Sequence, residues 1–390
     1  MKLRSSVAII YLFLSFAVYS QSDPLEKCKQ VAKSLNGLTV CDKTLLKETV
    51  TIPLSALTEE LQILKLDDAD EALVRQDATE ISDNYILIKG AREIPYKLFD
   101  RKTGKFLNNI GSFGQGPNEY INTYDFQLDE INNRIYILPW QAKKILVYDL
   151  KGKALESIPL CNDAPKGKFK VDTKSGTVIV SVLPFTGVPA VVWQQTLDGK
   201  LLKSIAPGHI ALRPDFSNEV NVYKGGDVYD FFVLSFEPRA DTLYRYDFSA
   251  NKLLPLFTLD FKGQNMDIHG YNETSGYYFG DLSEPKKLDA DNTSTQNQRF
   301  YIVDKKTLKG SYFILANDFL GDIEIAWPSY AFSNDYYVNN ADPGNLRDAL
   351  EKVLNSGKKL TPEMRAKLTK LKDSITDNDN NYILYSKLKK

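Results

Sequence analysis

The sequence predicts an all-β fold, a six-bladed β-propeller, and three observations support this class. A short hairpin unit recurs along the chain, the segments between its copies alternate apolar and polar residues as strands do, and helical spacing is confined to one stretch near the C-terminus. The 390 residues include 22 Tyr and 20 Phe, and aromatic residues favour strands. No helices are predicted between successive strands, which excludes a fold built from βαβ units.

The recurring unit consists of an apolar or aromatic residue, usually an Asp, a turn containing Gly, Asn or Lys, a Lys, and an apolar pair. Its five copies are Phe99–Leu107, Tyr148–Leu155, Gln195–Leu202, Tyr246–Leu254 and Val303–Lys309. The shared lysines are 48, 47, 52 and 57 residues apart. A strand that ends at Asp and turns through a residue at positive φ is the start of a β-hairpin. Four antiparallel strands in each such interval are typical of a propeller blade.

Five units leave a sixth blade to be assembled from both ends of the chain. We expect Leu61–Leu66 and Tyr382–Leu388 to share this blade with Ile323–Trp327 and Tyr336–Asn339. Placing both chain ends in one blade closes the ring and removes free sheet edges. Thr49–Leu54 is predicted to add an edge strand.

Residues 343–376 have helical spacing and predict a two-helix insertion in the last blade. Leu346, Leu350 and Val353 belong to the apolar face of the first helix, which ends before Gly357. Thr361 is the predicted N-cap of the second helix. An insertion of this kind usually packs on the fold, and docking of a partner is the alternative.

The N-terminus has the pattern of a secretory signal peptide. Lys2 and Arg4 precede the apolar run Val7–Val18, which is too short to span a membrane comfortably, and small residues at Val18 and Ser20 suit a cleavage site. We therefore predict a signal peptide at 1–20, a lead-in segment at 21–48 and the propeller at 49–390. The mature chain is expected in the periplasm or outside the cell, without a transmembrane segment.

The chain has three cysteines, Cys28, Cys41 and Cys161. In an oxidising compartment Cys28 and Cys41 are the natural pair, because they are close in sequence. Cys161 would then be left over as a small, buried hydrophobic residue.

The segment Ile110–Tyr120 reads IGSFGQGPNEY and follows the first hairpin unit. We interpret its residues Gly114, Gln115, Gly116, Pro117, Glu119 and Tyr120 as a structural link between neighbouring blades, with a ligand loop as the alternative. The glycines permit close backbone approach, Glu119 can accept backbone N–H groups, and Tyr120 can bury its ring. A phosphate loop is disfavoured, since the Lys-Ser/Thr pair and the following helix are missing.

With this segment the sequence resembles the secreted bacterial six-bladed β-propellers related to NHL-repeat propellers. That family carries a GKFI..IGR.GQGPGEY segment at the end of its first blade, and the six residues named above match it. Asn118 stands where a Gly is usual, and Ser112 replaces a basic residue. The C-terminal NNYILYSKLKK is also similar to the family's closing strand. The resemblance covers residues 45 to 390 and implies the fold and export, but it implies little about function, because propellers host many activities.

The candidate binding residues are Trp140, His209, Arg213, His269 and Trp327. The two tryptophans lie near predicted strand ends, where an exposed ring could stack on a sugar, although burial between blades is the alternative. His209 and Arg213 lie in a loop after the third unit. His269 lies in a predicted inner strand and could face the central channel.

No cofactor is predicted. The acidic segments at 289–292 and 377–381 have some features of calcium loops, but they lack the Gly at the sixth position and the bidentate Glu at the twelfth. Calcium is thus an open alternative that no specific motif supports.

The 49 Lys and Arg residues nearly balance the 50 Asp and Glu residues, which removes the main electrostatic argument for nucleic acid binding.

With only two histidines and no evident catalytic constellation, the leading hypothesis is an exported cell-envelope binding module for a glycan, a peptide or a protein partner. The alternative is a propeller-type lyase or hydrolase acting on polysaccharide or ester substrates, using His209, His269 and channel-facing acids. A scaffold within a larger envelope assembly is a third hypothesis. Convergence of Asp77, Asp125 and Asp267 with a histidine would favour an enzyme, whereas a channel lined by aromatic rings and amides would favour binding.

Overall fold

The computed structural model of the protein describes residues 23–389, apart from 92, 141–142, 226–227, 289–292, 327–330 and 334. The signal peptide at 1–20 and the candidate residue Trp327 lie outside the described residues, as do the acids of the first calcium-like segment. Within the described chain the strands form six sheets of four to seven strands and one small parallel pair.

Sheets 1 to 3 each contain four consecutive antiparallel strands. Sheet 1 comprises Thr79–Ile81, Tyr85–Ile88, Tyr96–Asp100 and Phe106–Ile110. Sheet 2 comprises Thr123–Asp129, Arg134–Pro139, Lys144–Tyr148 and Ile158–Pro159. Sheet 3 comprises Lys168–Asp172, Thr177–Ser181, Val192–Thr196 and Leu201–Ile205.

Sheets 4 to 6 each combine consecutive strands with strands from the N-terminal region. Sheet 4 comprises Glu219–Tyr223, Asp230–Leu234, Leu243–Asp247 and Lys252–Asp260, with Leu38–Asp42 and Ala32–Leu35 at its outer edge. Sheet 5 comprises Ile268–His269, Asn272–Glu273, Tyr277–Lys287, Thr293–Asp304 and Gly310–Asn317, with Ile323–Glu324 and Thr49–Pro53 at its outer edge. Sheet 6 comprises Phe332–Ser333, Tyr336–Ala341, Tyr382–Lys387 and Gln62–Lys65.

The sheets follow one another around a central axis. The first strand of sheet 2 contacts the first strands of sheets 1 and 3, the first strand of sheet 3 contacts that of sheet 4, and sheet 6 contacts the first strand of sheet 1. Apolar cores lie between adjacent sheets; for example, Trp193 is fully buried between sheets 2 and 3 with Leu138 and Ile145. The predicted propeller class is confirmed.

The N-terminal region is distributed over the outer edges of three neighbouring sheets. Leu38–Asp42 lies parallel to the outer strand of sheet 4, and Thr49–Pro53 lies parallel to the strand Gly310–Asn317 of sheet 5. Gln62–Lys65 pairs antiparallel with Tyr382–Lys387, so the predicted pairing of an N-terminal with a C-terminal strand is present. Sheets 4 and 5 carry extra strands, and the first strand of sheet 6 has only two residues.

The recurring sequence units form the turns between the third and fourth strands. In four of the five units the Asp carboxylate accepts hydrogen bonds from backbone N–H groups two to four residues later, as Asp100 does from Lys102 and Thr103. The turn residue with positive φ is Gly104, Gly152, Gly199, Asn251 or Leu308. At Gly104 a Cβ atom would lie 2.1 Å from the carbonyl oxygen of Lys65, so this turn packs directly on the outer strand of the preceding sheet.

Three α-helices and four short 3-10 helices complete the described chain. The α-helices are α1 (Leu54–Leu57), α2 (Pro343–Asn355) and α3 (Pro362–Ser374), and the 3-10 helices are Lys43–Leu45, Asp70–Ala72, Gly208–Ile210 and Asp318–Leu320. The predicted helix pair is confirmed, and the Thr361 side chain accepts a hydrogen bond from the backbone N–H of Met364 as expected for an N-cap. Leu346, Leu350 and Leu368 bury the pair against sheets 5 and 6. None of the described helices is long and apolar enough to cross a membrane.

Candidate functional site

The first strands of the larger sheets line a central channel that contains a cavity of about 960 Å³. Its wall includes Glu80, Asp125, Lys168, Asn221, Glu273 and Phe332, one from each sheet, together with Asn345, Leu346 and Ala349 of α2. Concave sites of this size, lined by apolar groups and a few convergent polar groups, are where small ligands usually bind. The cavity is therefore the candidate functional site.

Lys168 is the first residue of the first strand of sheet 3 and lies in the cavity wall. Its Nζ donates a hydrogen bond of 3.1 Å to the backbone oxygen of Tyr124 and lies 4.9 Å from the centre of the Tyr124 ring. Burial lowers the pKa of Lys168, because the channel wall removes water from the ammonium group. Lys224 and Lys89 lower it further, while Asp125 and Glu219 oppose these effects.

The other lysines of this region have carboxylate partners. Lys224 Nζ lies 2.5 Å from Asp125 Oδ2, which also accepts a hydrogen bond of 2.7 Å from the Phe169 backbone. Lys89 Nζ lies 4.0 Å from Asp77 Oδ1, and Lys166 pairs with Glu219. Within the described residues, Lys168 has no such partner.

A second ionic network lies where the first strands of sheets 4 and 5 end. Arg245 donates two hydrogen bonds, of 2.7 and 2.6 Å, to the buried Asp230, and its Nη2 is 3.0 Å from Glu273. Lys305 lies 2.6 Å from the other oxygen of Glu273. The bonds to Asp230 raise the pKa of Arg245, and the network joins the two sheets. Since its charges satisfy one another, its main role is structural.

The part of the cavity beside α2 is more apolar. Phe332, Ile323 and Leu346 line it, and the first strand of sheet 6 ends after Ser333. Two buried polar atoms in this wall, Asn317 Oδ1 and the Tyr337 hydroxyl, have no hydrogen-bond partner among the described residues. Both atoms are closed off from solvent, so a ligand in the cavity would not contact them directly.

The predicted binding residues do not converge on this cavity. Trp140 is half-buried at the edge of sheet 2, with its ring 6.1 Å from that of Phe216. His209 is exposed, and its Nε2 lies 3.1 Å from the Tyr244 hydroxyl. Arg213 is also exposed and pairs with Glu237 at 3.3 Å.

His269 was expected to face the channel, and the structure corrects this prediction. Its side chain is buried against Phe261 and Tyr271, and its Nδ1 lies 2.9 Å from the Asp267 backbone oxygen. The first strand of sheet 5 is interrupted at Gly270 and Tyr271, so strand alternation does not continue through it. Of the three acids named above, Asp77 and Asp125 line the cavity, whereas Asp267 pairs with Lys43 at 3.0 Å.

The IGSFGQGPNEY segment connects sheets 1 and 2. Its Ser112–Phe113 and Glu119–Tyr120 form the small parallel pair, and Glu119 accepts a hydrogen bond of 2.8 Å from the backbone of Gly116. The buried Tyr120 hydroxyl accepts from the backbone N–H of Tyr96 at 3.0 Å and donates to the carbonyl of Ile110 at 2.5 Å. Sheet 2 contributes Tyr148, whose hydroxyl donates to the backbone oxygen of Asn118. Gln115 and Pro117 are exposed.

The predicted disulfide between Cys28 and Cys41 is not formed, and all three thiols are free. Cys41 is buried in the strand Leu38–Asp42 with Tyr301, whereas Cys28 packs at the margin of a different apolar cluster. Burial raises the pKa of all three thiols, so none is activated. The part of the chain that the structure describes also holds no group of three or more His, Cys, Asp or Glu side chains placed to bind a metal.

The family model described as a domain of unknown function, DUF4934, matches residues 39–387. The chain belongs to the DUF4934 family. No curated protein matches its sequence. A solved structure described as an exported protein of Bacteroides fragilis NCTC 9343 is similar to this DUF4934 chain, with a TM-score of 0.59 at 19% identity over 88% of this chain and 99% of that one. At this identity the likeness shows the fold alone.

A second solved structure, a member of the DUF4221 family from Bacteroides vulgatus ATCC 8482, has a TM-score of 0.43 at 11% identity. It covers 85% of the DUF4934 chain and 97% of its own. The NHL-like character inferred from the GQGPNEY segment stays a prediction.

The lysines of the cavity were not identified from the sequence of this DUF4934 protein. Lys168 begins a strand of sheet 3, whereas Lys89 and Lys224 each follow the end of a strand, in sheets 1 and 4, and the three share no motif. One weak signal was present, because Lys168 begins a strand whose second and fourth residues, Phe169 and Val171, are buried. Strand alternation then places Lys168 and Lys170 on the opposite face.

Proposed function

We propose that this DUF4934 protein is an exported binding module of the cell envelope, in which the central channel receives a glycan, a peptide or a segment of a protein partner. The observation that carries the proposal is the cavity of about 960 Å³, whose wall combines amide, aromatic and charged side chains from all six sheets. Such a rigid ring holds its binding groups in place before the ligand arrives, which lowers the entropic cost of binding.

The alternative of a lyase or hydrolase gains no support from the placement of the histidines. Among the described residues, the cavity wall contains Asp77 and Asp125 without either His209 or His269. The wall does contain amides and aromatic rings, including Asn221, Tyr223 and Phe332, as expected for a binding site.

A channel-blocking variant tests the proposal. Asn221→Trp places a bulky ring in the channel, and Ile131→Trp places the same ring in a turn whose Ile131 side chain is 91% exposed. Wild-type protein and both variants would be applied to a glycan array and a peptide array. We expect the Asn221→Trp variant alone to lose binding while its Tm stays within a few degrees of the wild type. Retention of all binding by this variant would show that the channel is not the site.

We also propose that the ring has six blades, one for each of the six larger sheets, closed in sheet 6 by the strand Gln62–Lys65. The support is that each of these sheets contains at least four strands and contributes to the channel wall. An experimental structure would test the count directly. Five sheets around the axis, with sheet 6 packed elsewhere, would refute it.

Export is supported by the sequence of residues 1–20 and by the description of the similar protein from Bacteroides fragilis.

Calcium remains an open alternative, and a calcium-dependent change in Tm would reveal such a site.

A further inference from the structure

We propose that Lys168, flanked by Lys89 and Lys224, binds the carboxylate of an acidic saccharide in the channel. This inference rests on the proposed binding function and names the class of ligand. The ligand is a short oligosaccharide that contains a uronic acid residue, with its carboxylate at Lys168 and its hydroxyl groups toward the amide and tyrosine side chains of the wall.

The first argument is the unbalanced charge at Lys168. A lysine ammonium has three N–H donors, and the described chain supplies one acceptor, the Tyr124 backbone oxygen at 3.1 Å. The nearest acids are engaged elsewhere, Asp125 with Lys224 at 2.5 Å and Glu219 with Lys166. A partly desolvated ammonium is costly without an anionic partner, so an incoming carboxylate would be bound favourably.

The second argument is electrostatic. Lys89 and Lys224 both lie close enough to Lys168 to disfavour its protonation. Asp77 and Asp125 balance Lys89 and Lys224, so of these three lysines Lys168 alone has no carboxylate paired with it among the described residues. An anion bound at Lys168 would balance this remaining charge.

The third argument concerns the rest of the ligand. Asn221 and Asn339 line the cavity wall, and neither is fully buried. A sugar hydroxyl can both donate to and accept from a side-chain amide. Phe332 and Tyr223 offer ring surfaces in the same wall for the apolar face of a sugar. A peptide carboxylate could also pair with Lys168, and peptide binding is therefore one outcome of the test.

The test uses trigalacturonate and its methyl ester, two probes that differ only in the charge of their carboxyl groups. Glucuronate and mannuronate oligomers with matching esters extend the test to other sugar stereochemistries. Binding is measured by calorimetry with wild-type protein, Lys168→Met, Lys168→Arg and the control Lys151→Met. Lys151 is exposed in a turn of sheet 2 far from the cavity wall.

We expect at least one acidic oligomer to bind the wild type and the Lys151→Met control with equal affinity. Its ester and the Lys168→Met variant should bind on the order of ten- to a hundredfold more weakly, as for the loss of one hydrogen-bonded ion pair. Lys168→Arg, which keeps the positive charge, should retain most of the affinity. Unchanged Tm values would show that the variants are folded.

Each other outcome separates the two proposals. Equal binding of acid and ester would overturn the carboxylate site and leave the channel as a glycan site. Binding of a peptide with a free C-terminal carboxylate, lost in Lys168→Met, in the absence of saccharide binding would overturn the assignment to saccharides. Absence of binding to any acidic oligomer or ester would overturn the inference, and the proposed function would still stand if the arrays showed binding that the Asn221→Trp variant loses.

A spectroscopic readout tests the same contact independently of affinity. Reductive methylation with ¹³C-formaldehyde labels the lysines, and the signal absent from Lys168→Arg identifies Lys168. We expect the pKa of Lys168 to rise when the acidic oligomer is added, because a bound carboxylate favours the ammonium form. No change on saturation would place the carboxylate elsewhere.

Discussion

Asp241 is a buried carboxyl group whose two oxygens differ in environment. Its Oδ1 accepts a hydrogen bond of 2.7 Å from the Thr242 backbone, whereas its Oδ2 has no partner among the described residues. Burial raises its pKa to about 6. The unfolded chain loses this proton near pH 4, so between about pH 4 and 6 the folded state alone retains it and stability falls as pH rises.

Asp241→Asn should therefore stabilise the protein in a pH-dependent way. We expect the variant to gain on the order of 1 to 2 kcal/mol over the wild type at pH 7.5, because the buried charge is removed, and to gain least at pH 4. Thermal unfolding at both pH values measures the difference. An equal effect at pH 4 and pH 7.5 would contradict the assigned ionisation.

Tyr120 is the residue through which the GQGPNEY segment bonds to sheet 1. Tyr120→Phe leaves the Tyr96 N–H and the Ile110 carbonyl without their partner in a buried site. We expect a loss of about 2 kcal/mol or more in the free energy of unfolding. Tyr85→Phe, which alters a half-buried tyrosine of the same sheet, is the control. If the two variants unfold at the same denaturant concentration, the link between the sheets is not stabilising.

At the scale of elements, the strand Tyr382–Lys387 holds sheet 6 together, because it pairs with Tyr336–Ala341 on one side and Gln62–Lys65 on the other. Leu384 lies at its centre opposite Asn339 and Ile63, and it is 1% exposed. Leu384→Pro removes a backbone donor and disturbs both pairings.

We expect the Leu384→Pro variant to lose about 3 kcal/mol or more and to exchange the amide hydrogens of residues 62–65 much faster than the wild type. Leu384→Val, which keeps the backbone donor, is the matched control. Unchanged protection of residues 62–65 in the proline variant would show that they are held by other contacts.

Local elements were predictable where one turn or cap determines the structure. The hairpin units gave the turns at Asp100, Asp149, Asp247 and Asp304, and Thr361 gave the start of α3. Leu308 is an exception, since its positive φ is unusual for a residue of its type and follows from the turn around it.

Features that depend on distant pairing were not predictable. Nothing in Leu38–Asp42 indicates that it pairs with Lys252–Asp260. The backbone of an edge strand can pair with any free sheet edge, so its partner depends on the tertiary fold and not on its own residues. The Cys28–Cys41 prediction failed for a similar reason: closeness in sequence did not bring the two thiols into one apolar cluster. Lys89, Lys168 and Lys224 are likewise far apart in sequence and come close to one another only when the sheets assemble around the channel.

At the scale of the whole molecule, the export proposal makes a prediction about the mature chain. We expect protein recovered from the envelope or the medium of a bacterial host to begin near Gln21, because cleavage follows Ser20. Mass spectrometry of the intact chain measures this, with a Val7→Arg variant as the control that blocks export. A chain that keeps residues 1–20 in the cytoplasm would refute the proposal.

The placement of the N-terminal strands affects when the protein can fold. Residues 32–65 leave the ribosome first, yet their partners are the strands Lys252–Asp260, Gly310–Asn317 and Tyr382–Lys387. The N-terminal strands therefore stay unpaired until these later strands have been made, and sheet 6 is completed only at the end of synthesis. Unpaired strand edges are prone to aggregation. Such a delay would suit the proposed export, because the order of the strands in the sequence prevents the ring from closing before the whole chain has been made.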